Sequence, residues 1–366
     1  MVIISKHTGL AAQLKSQELK HSYSDNISNK RIAVLGNFPP PLGGVSVHIK
    51  RVMHKLKGQH NKLFHFDTSK RSSRLIYTIR LVLFLLTKRC DIVYYHTLDL
   101  NRRLSELQLL LKIKKIMGYQ LVIVEHNCRY LYTKSVSFKK SFNYCMQKVD
   151  ALVFIGNSTW YSYLENKIIV PAITTIESAF LPPDESHGAM IVKTYPVTLH
   201  DFLASHSPIV LVNAFQLSML DGKDLYGIDL CIQALSQLKK EHRVIGLVCV
   251  LSQLGSKEHF AYLQQGIKKH NLENHIYFLM DKKELWPLFK KVDLFVRPTL
   301  SDGESVSVQE ALYFNVPVVA SDAVARPRQV ITFSSGDAMD LSQKIKSVLG
   351  DTLYESNNQQ RNHLHT

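Results

Sequence analysis

Residues 297–322 read RPTLSDGESVSVQEALYFNVPVVASD, and the fold turns on how this stretch is read. Just upstream, LFV (294–296) has the character of a short buried strand. SVQEALYF carries helical spacing, and VPVVAS is a second short apolar strand. Strand, loop, helix and strand in that order make one βαβ unit. The loop holds two acids, Asp302 and Glu304, and the helix holds a third, Glu310, beside Ala311 and Leu312. A carboxylate in such apolar company is partly desolvated, which costs free energy unless a polar group meets it. A ligand is one such partner, and a hydrogen-bonding group of the core is the other.

The same alternation extends outward in both directions. RIAVLG (31–36), KLFHF, DIVYYH, YQLVIVEH and ALVFIG read as strands. Between them VSVHIKRVMHKL (45–56), SSRLIYTIRLVLFLLTK, RLSELQLLLKIKKIMG and KKSFNYCMQKV read as helices. The alternation weakens over 170–207, which prolines at 171, 182, 183 and 196 punctuate. It resumes with PIVLVNAF (208–215) and runs through VIGLVCVL, HIYFLM and LFVRP to a last helix around 338–349. Strands that alternate with helices imply parallel sheets, and 366 residues suit two such domains. The expected division is an extension over 1–29, a first domain over 30–195, a second over 196–350 and a tail over 351–366. Two doubly wound sheets facing a cleft would take ligands beyond the carboxyl ends of their strands. The 36–44 loop, His96, His126 and Asp302 all fall at such ends.

The chain carries 45 Lys and Arg against 30 Asp and Glu, a formal net charge of +15. That balance favours anionic partners: phosphates, nucleic acid or an acidic membrane surface. No aromatic-basic RNA motif and no helix-turn-helix pattern supports the nucleic-acid reading. The five cysteines are scattered, with no CxxC, which points neither to zinc nor to a disulfide framework. The N-terminal residues have no apolar core of secretory length, so no signal peptide is expected. No stretch reaches the roughly 18 apolar residues of a spanning helix.

Four further groups carry chemistry. GNFPPPLGGVSVHI (36–49) places Gly43 and Gly44 between a strand and a helix, where backbone N–H groups approach a ligand closely. It is neither a GxGxxG fingerprint nor a P-loop, and a plain tight turn is the competing reading. His96 and His126 end two strands and can meet sugar hydroxyls or move protons, although most of the 17 histidines must be bystanders. If its segment stays extended, Glu125 points away from His126. Lys223, Arg297, Arg326 and Arg328 could compensate a diphosphate, with Lys223 best placed before a helix. Residues 69–89, SKRSSRLIYTIRLVLFLLTKR, hold Lys70, Arg71, Arg74, Arg80, Lys88 and Arg89 and no acid. Such a segment suits either an anionic membrane surface or a packed helix with a basic edge. In the quoted stretch, seven residues separate Asp302 from Glu310, with helix-start N–H groups near Ser305 and Val306 between them. One acid, an anion-binding helix end and a second acid are what a nucleotide sugar requires.

With those flanks the stretch resembles the retaining GT-B glycosyltransferases of glycosyltransferase family 4, whose E-x7-E motif precedes a PVVASD-like strand. The similarity runs over 31–349 and is fainter in the first half. It implies two Rossmann-like domains and transfer of a sugar from a nucleotide sugar, a UDP-sugar being the commoner family choice, with retained configuration. It implies that Asp302 meets donor-sugar hydroxyls, that Glu310 holds the ribose and that His126 contacts the donor sugar. It also implies that the Gly43–Gly44 loop and the 303–306 segment (Gly303, Glu304, Ser305, Val306) lie at the donor. No cofactor and no catalytic metal are expected of this family. Family habit and the basic first domain imply a lipid-linked oligosaccharide acceptor of bacterial surface polysaccharide. The expected location is the cytoplasmic face of the membrane, peripherally bound. Two departures stand out. The arginine expected after the first strand of the second domain is absent from Val212-Asn213-Ala214-Phe215, and Tyr226 precedes Gly227 where a lysine is expected. Lys223 is the nearest substitute. A nucleotide-sugar epimerase of the same fold, or a catalytically weak partner protein of a polysaccharide assembly, are the alternatives.

Overall fold

The computed structural model describes residues 23–38, 44–69, 73–97, 100–128, 130–280, 284–302 and 305–363. Apart from the short segment that ends at Gly44, the chain divides into two compact units between Leu181 and Pro182. Each is a six-stranded parallel sheet flanked by helices.

In the first unit the strands are β1 (Arg31–Gly36), β2 (Lys62–Asp67), β3 (Ile92–Thr97), β4 (Gln120–Glu125), β5 (Ala151–Ile155) and β6 (Ile173–Glu177). They lie in the order β2-β1-β3-β4-β5-β6. The helices are α1 (Gly44–Gly58), α2 (Arg74–Lys88), α3 (Leu100–Met117), α4 (Val136–Met146) and α5 (Asn157–Glu165). Apolar runs such as IAVL, IVYY and LVIV are buried because helices cover both faces of the sheet. Ser73 and Ser135 cap α2 and α4, each accepting from an amide three residues on. After α3 the chain turns through Gly118 at φ 74°, a left-handed geometry in which a Cβ would be strained.

The second unit contains α6 (Gly188–Lys193), α7 (Val197–Ser205), β7 (Ile209–Ala214), the hairpin β8 (Met219–Leu220) and β9 (Lys223–Asp224), and α8 (Ile228–Leu238). It continues with β10 (Gly246–Leu251), α9 (Lys257–Lys269), β11 (Ile276–Leu279), β12 (Leu294–Arg297), α10 (Val306–Tyr313), β13 (Val318–Ser321), β14 (Ile331–Phe333) and α11 (Ala338–His363). Its sheet order, β11-β10-β7-β12-β13-β14, is the dinucleotide-fold order 3-2-1-4-5-6 when the strands are numbered within the unit.

The punctuated region 170–207 is more regular than its prolines imply. Ile173–Glu177 pairs with β5 as the edge strand of the first sheet. Downstream, Ile191, Val192, Tyr195 and Leu199 pack into the second unit's core beside Trp286 and Phe289. The junction therefore lies ahead of these helices, whereas prolines alone place it at 195/196. The last helix runs on through His363, past the expected tail boundary at 350/351. No helix among the described residues is long and apolar enough to cross a membrane.

Candidate active site

In each sheet the strand order reverses once, between β1 and β3 in the first unit and between β7 and β12 in the second. Loops leaving the carboxyl ends on either side of a reversal go to opposite faces and open a crevice. The chemistry-bearing residues gather at these two places.

At the second reversal β7 ends in Asn213 and β12 ends in Arg297. Arg297 grips Asp302 with two parallel bonds, Nε to Oδ2 at 2.9 Å and Nη2 to Oδ1 at 3.1 Å. Its Nη1 reaches across to Asn213, donating to the backbone O at 3.0 Å and to Oδ1 at 3.3 Å. Arg326 donates to Asp302 Oδ2 at 3.1 Å and to Thr299 Oγ1 at 3.3 Å. Burial works to raise the Asp302 pKa, but the two guanidiniums outweigh it and hold the carboxyl below its ordinary value. Two cations facing one anion leave the cluster with a formal surplus of one positive charge. Asp302, which the resemblance assigns to donor-sugar hydroxyls, is ion-paired to Arg297 and Arg326. Arg297 also brings a guanidinium to the end of β7, next to where the resemblance misses one. No local sequence signal announces this, because 84 residues separate Arg297 from Asn213.

Immediately downstream, Ser305 caps α10 by accepting from the Val308 amide at 3.4 Å. Val306 opens the helix, and Asn213 Nδ2 donates to Ser307 Oγ at 2.9 Å, tying the helix start to β7. Glu310 lies in the second turn, 5% exposed, and its charge helps to raise the Tyr195 pKa, secondary to burial and Glu284. Lys223 stands on β9 with an exposed side chain. The adjoining Asp224 carboxylate accepts from the amides of Tyr226, Ile228 and Asp229 at 2.9, 3.0 and 3.4 Å, and so caps α8. Gly227, at φ 66°, brings that cap against Pro298: a Cβ there would meet the Pro298 carbonyl at 2.3 Å. Arg328 makes none of the contacts that join Arg297 and Arg326 to Asp302. Gly44 opens α1, and among the described residues nothing lies within 4 Å of where a Cβ would stand. Gly43, Gly303 and Glu304, with Lys70 and Arg71 of the basic segment, lie outside the described residues.

At the first reversal, His96 ends β3 and His126 follows β4. His96 Nδ1 and His126 Nε2 are 3.0 Å apart, and the rings stack with centroids 5.3 Å apart. A third ring, His48 of α1, stands edge-on to His126 at 5.0 Å. Burial drives all three toward the neutral form: His48 titrates at about 4, and His96 and His126 well below their ordinary value. Glu125 points away from His126, as the pleat requires, into the core. There it receives four donors: Arg103 Nη1 at 2.6 Å, Tyr163 Oη at 2.8 Å, Thr97 Oγ1 at 2.9 Å and the Asn127 amide at 3.1 Å. Arg103 also donates to the Asn127 carbonyl at 2.8 Å, so one buried ion pair pins the backbone directly after His126. His48, Arg103 and Tyr163 carry no sequence signal: each sits at ordinary helical core spacing. Among the described residues no group of three or more His, Cys, Asp or Glu is arranged to hold a metal ion.

The family model for glycosyl transferases group 1 matches residues 215–363, which contain the Asp302 cluster and α10. Over 322 residues the chain is 24% identical to an uncharacterized glycosyltransferase of Methanocaldococcus jannaschii, covering 84% of this chain and 72% of that protein. It is 24% identical over 179 residues to the lipopolysaccharide core biosynthesis mannosyltransferase LpcC of Rhizobium leguminosarum bv. viciae, covering 45% of this chain and 50% of that protein. Among solved structures it is similar to Anabaena Alr3699/HepE in complex with UDP, with TM-score 0.59, 17% identity and coverage of 88% and 90% of the two chains. The likeness in structure extends over both units, so the two Rossmann-like domains are those of the GT-B fold, and the sequence match to glycosyl transferases group 1 falls on the second of them.

Proposed function

We propose that the chain is a retaining glycosyltransferase that moves a sugar from a UDP-sugar to a lipid-linked acceptor during assembly of a bacterial surface polysaccharide. The observation that carries this reading is the Arg297–Asp302–Arg326 cluster at the strand reversal, one loop away from the start of α10. A departing nucleoside diphosphate gains negative charge as the bond to the sugar breaks. Preorganised guanidiniums and helix-start N–H groups meet that charge without having to reorganise. In this reading Asp302 aims the two arginines at the donor and stands beside the donor-sugar hydroxyls. Glu310 takes the ribose, and His126 contacts the donor sugar. Lys223 on the exposed hairpin offers a further cation to the phosphates. The transfer needs no catalytic metal in this mechanism. The mannosyltransferase of lipopolysaccharide core biosynthesis supports the polysaccharide setting, and the UDP-bound neighbour supports the nucleotide.

The acceptor side rests on α2. Tyr77, Leu81 and Leu85 pack inward, while Leu75, Ile76, Ile79, Leu83 and Leu86 form an opposite stripe open to solvent, Leu75 being 70% exposed. Arg74 and Arg80 are exposed on the same helix, which has no acid. Apolar and cationic groups together fit an anionic leaflet, where a lipid-linked acceptor resides. This reading places the protein peripherally on the cytoplasmic face.

Calorimetry against UDP, GDP, ADP and their sugar conjugates, run with and without EDTA, tests the donor half. One nucleotide should bind and stabilise the chain by mass action, equally in EDTA, and Glu310→Gln should weaken that binding at least tenfold. Absence of binding by every nucleotide up to millimolar concentration refutes the proposal.

A further inference from the structure

The three histidines constrain one another's protons. His48 Nδ1 lies 3.1 Å from the carbonyl oxygen of Ala179. A carbonyl only accepts, so His48 carries its proton on Nδ1. Between His96 Nδ1 and His126 Nε2, at 3.0 Å, there is room for one proton. If that proton belonged to His126, neutral His96 would have to carry its own on Nε2. That nitrogen is buried and has no partner among the described residues, so a donor would be stranded. If the proton belongs to His96 Nδ1, what is left at Nε2 is only a lone pair, the milder defect. His126 then accepts at Nε2 and, being neutral, holds its proton on Nδ1.

We infer that His96 is a positioning residue that sets His126 in the Nδ1–H tautomer, so that His126 meets its ligand as a hydrogen-bond donor and not as a base. The charged and titratable groups around His126 agree with this. His48 from α1, His96 from β3 and Arg103 from α3 all oppose a second proton on it, after burial itself. Nδ1 of His126 has no partner among the described residues, and the residue is only partly buried. The group it suits is an acceptor oxygen, from a sugar hydroxyl or a phosphate. Assigning that oxygen to the donor sugar rests on the glycosyltransferase reading; the tautomer does not.

The test is therefore spectroscopic and needs no substrate. The full chain is labelled with 15N-histidine, and two-bond 1H–15N correlations report which nitrogen of each ring is protonated. His48→Gln, His96→Asn and His126→Asn supply the assignments. The expected wild-type result is an Nδ1–H pattern at all three residues, whereas a free histidine in water favours Nε2–H. His96→Asn keeps an N–H donor near the old Nδ1 position and should preserve the pattern at His126. His96→Leu removes the donor, and the Nδ1–H signature of His126 should be lost. An Nε2–H pattern at His126 in the wild-type chain, assigned with whichever of these variants folds, overturns the inference. So does an unchanged Nδ1–H pattern in a folded His96→Leu variant. Nucleotide binding measured on the same samples separates either result from a failure of the glycosyltransferase reading.

Discussion

Glu125→Gln probes the frame behind the histidines with nearly no change of shape. The wild-type carboxylate serves four donors, two on each oxygen, from Arg103, Tyr163, Thr97 and the Asn127 amide. A glutamine amide presents an NH2 group to one of those pairs, so two hydrogen bonds become donor–donor conflicts. It also removes the negative charge opposite Arg103, whose side chain is 1% exposed against 0% for Glu125. Solvent cannot screen the orphaned guanidinium, and breaking a buried pair from one side costs about 3–5 kcal/mol. For a unit of this size each kcal/mol lowers Tm by about 2–4 °C, so the expected fall is on the order of 6–20 °C. Urea melts give the free energy, and hydrogen exchange at the β3 and β4 amides reports the first unit separately from the second. Arg103→Met combined with Glu125→Leu removes the orphaned buried charge and should recover part of the loss, the Tyr163 hydroxyl and the Asn127 amide still lacking their acceptor. The double variant still lacks the bond from Arg103 to the Asn127 carbonyl, so exchange at 126–128 should stay fast. A loss below about 1 kcal/mol for Glu125→Gln would refute the claim that the pair is closed to water.

Three other outcomes are expected. The histidine cluster makes the first unit acid-sensitive: the three rings are neutral when folded and take up protons once unfolded. Their contribution is complete above about pH 6.5 and declines as pH falls toward 4, with His48 alone accounting for about 3 kcal/mol by pH 4. Urea melts between pH 7 and 5 that show no slope would contradict this. Asp302→Asn leaves Arg297 and Arg326 without a counter-charge and should destabilise the second unit by about 3 kcal/mol at pH 7. Because the Asp302 pKa is depressed, its contribution is present at neutral pH and lost as pH falls below about 3.9, so wild type and variant should converge there in thermal melts. On α2, Ile79→Ser with Leu83→Ser, or Arg74→Gln with Arg80→Gln, should cut binding to phosphatidylglycerol vesicles at least tenfold while leaving nucleotide affinity unchanged. Wild-type vesicle binding by both pairs would assign the stripe to some other partner.

Periodicity determined the fold class. Parallel strands buried on both faces must be continuous apolar runs, and covering helices must show one apolar face, so IAVL, IVYY and GLVCVL are legible at sight. The loop-to-helix placement of Asp302, Ser305 and Glu310 was legible for the same local reason, and so was the inward turn of Glu125, which follows from the alternation of a strand. The edge strand Ile173–Glu177 was not, because its alternating and partly exposed residues look like the proline-rich loop around them. Partnership at a distance left no trace in the sequence either. An arginine reads the same whether solvated or clamped, and only the folded sheet brings Arg297 to Asn213, Arg326 to Asp302 and Arg103 to Glu125. Composition could flag α2 as apolar and basic, but only packing decided which side faces water, since Tyr77, Leu81 and Leu85 could be buried only by turning Ile79 and Leu83 outward. The proton positions of the histidines likewise depend on neighbours that the chain assembles from helix, strand and loop. Local spacing sets which element forms; burial and long-range pairing set what each polar side chain can do there.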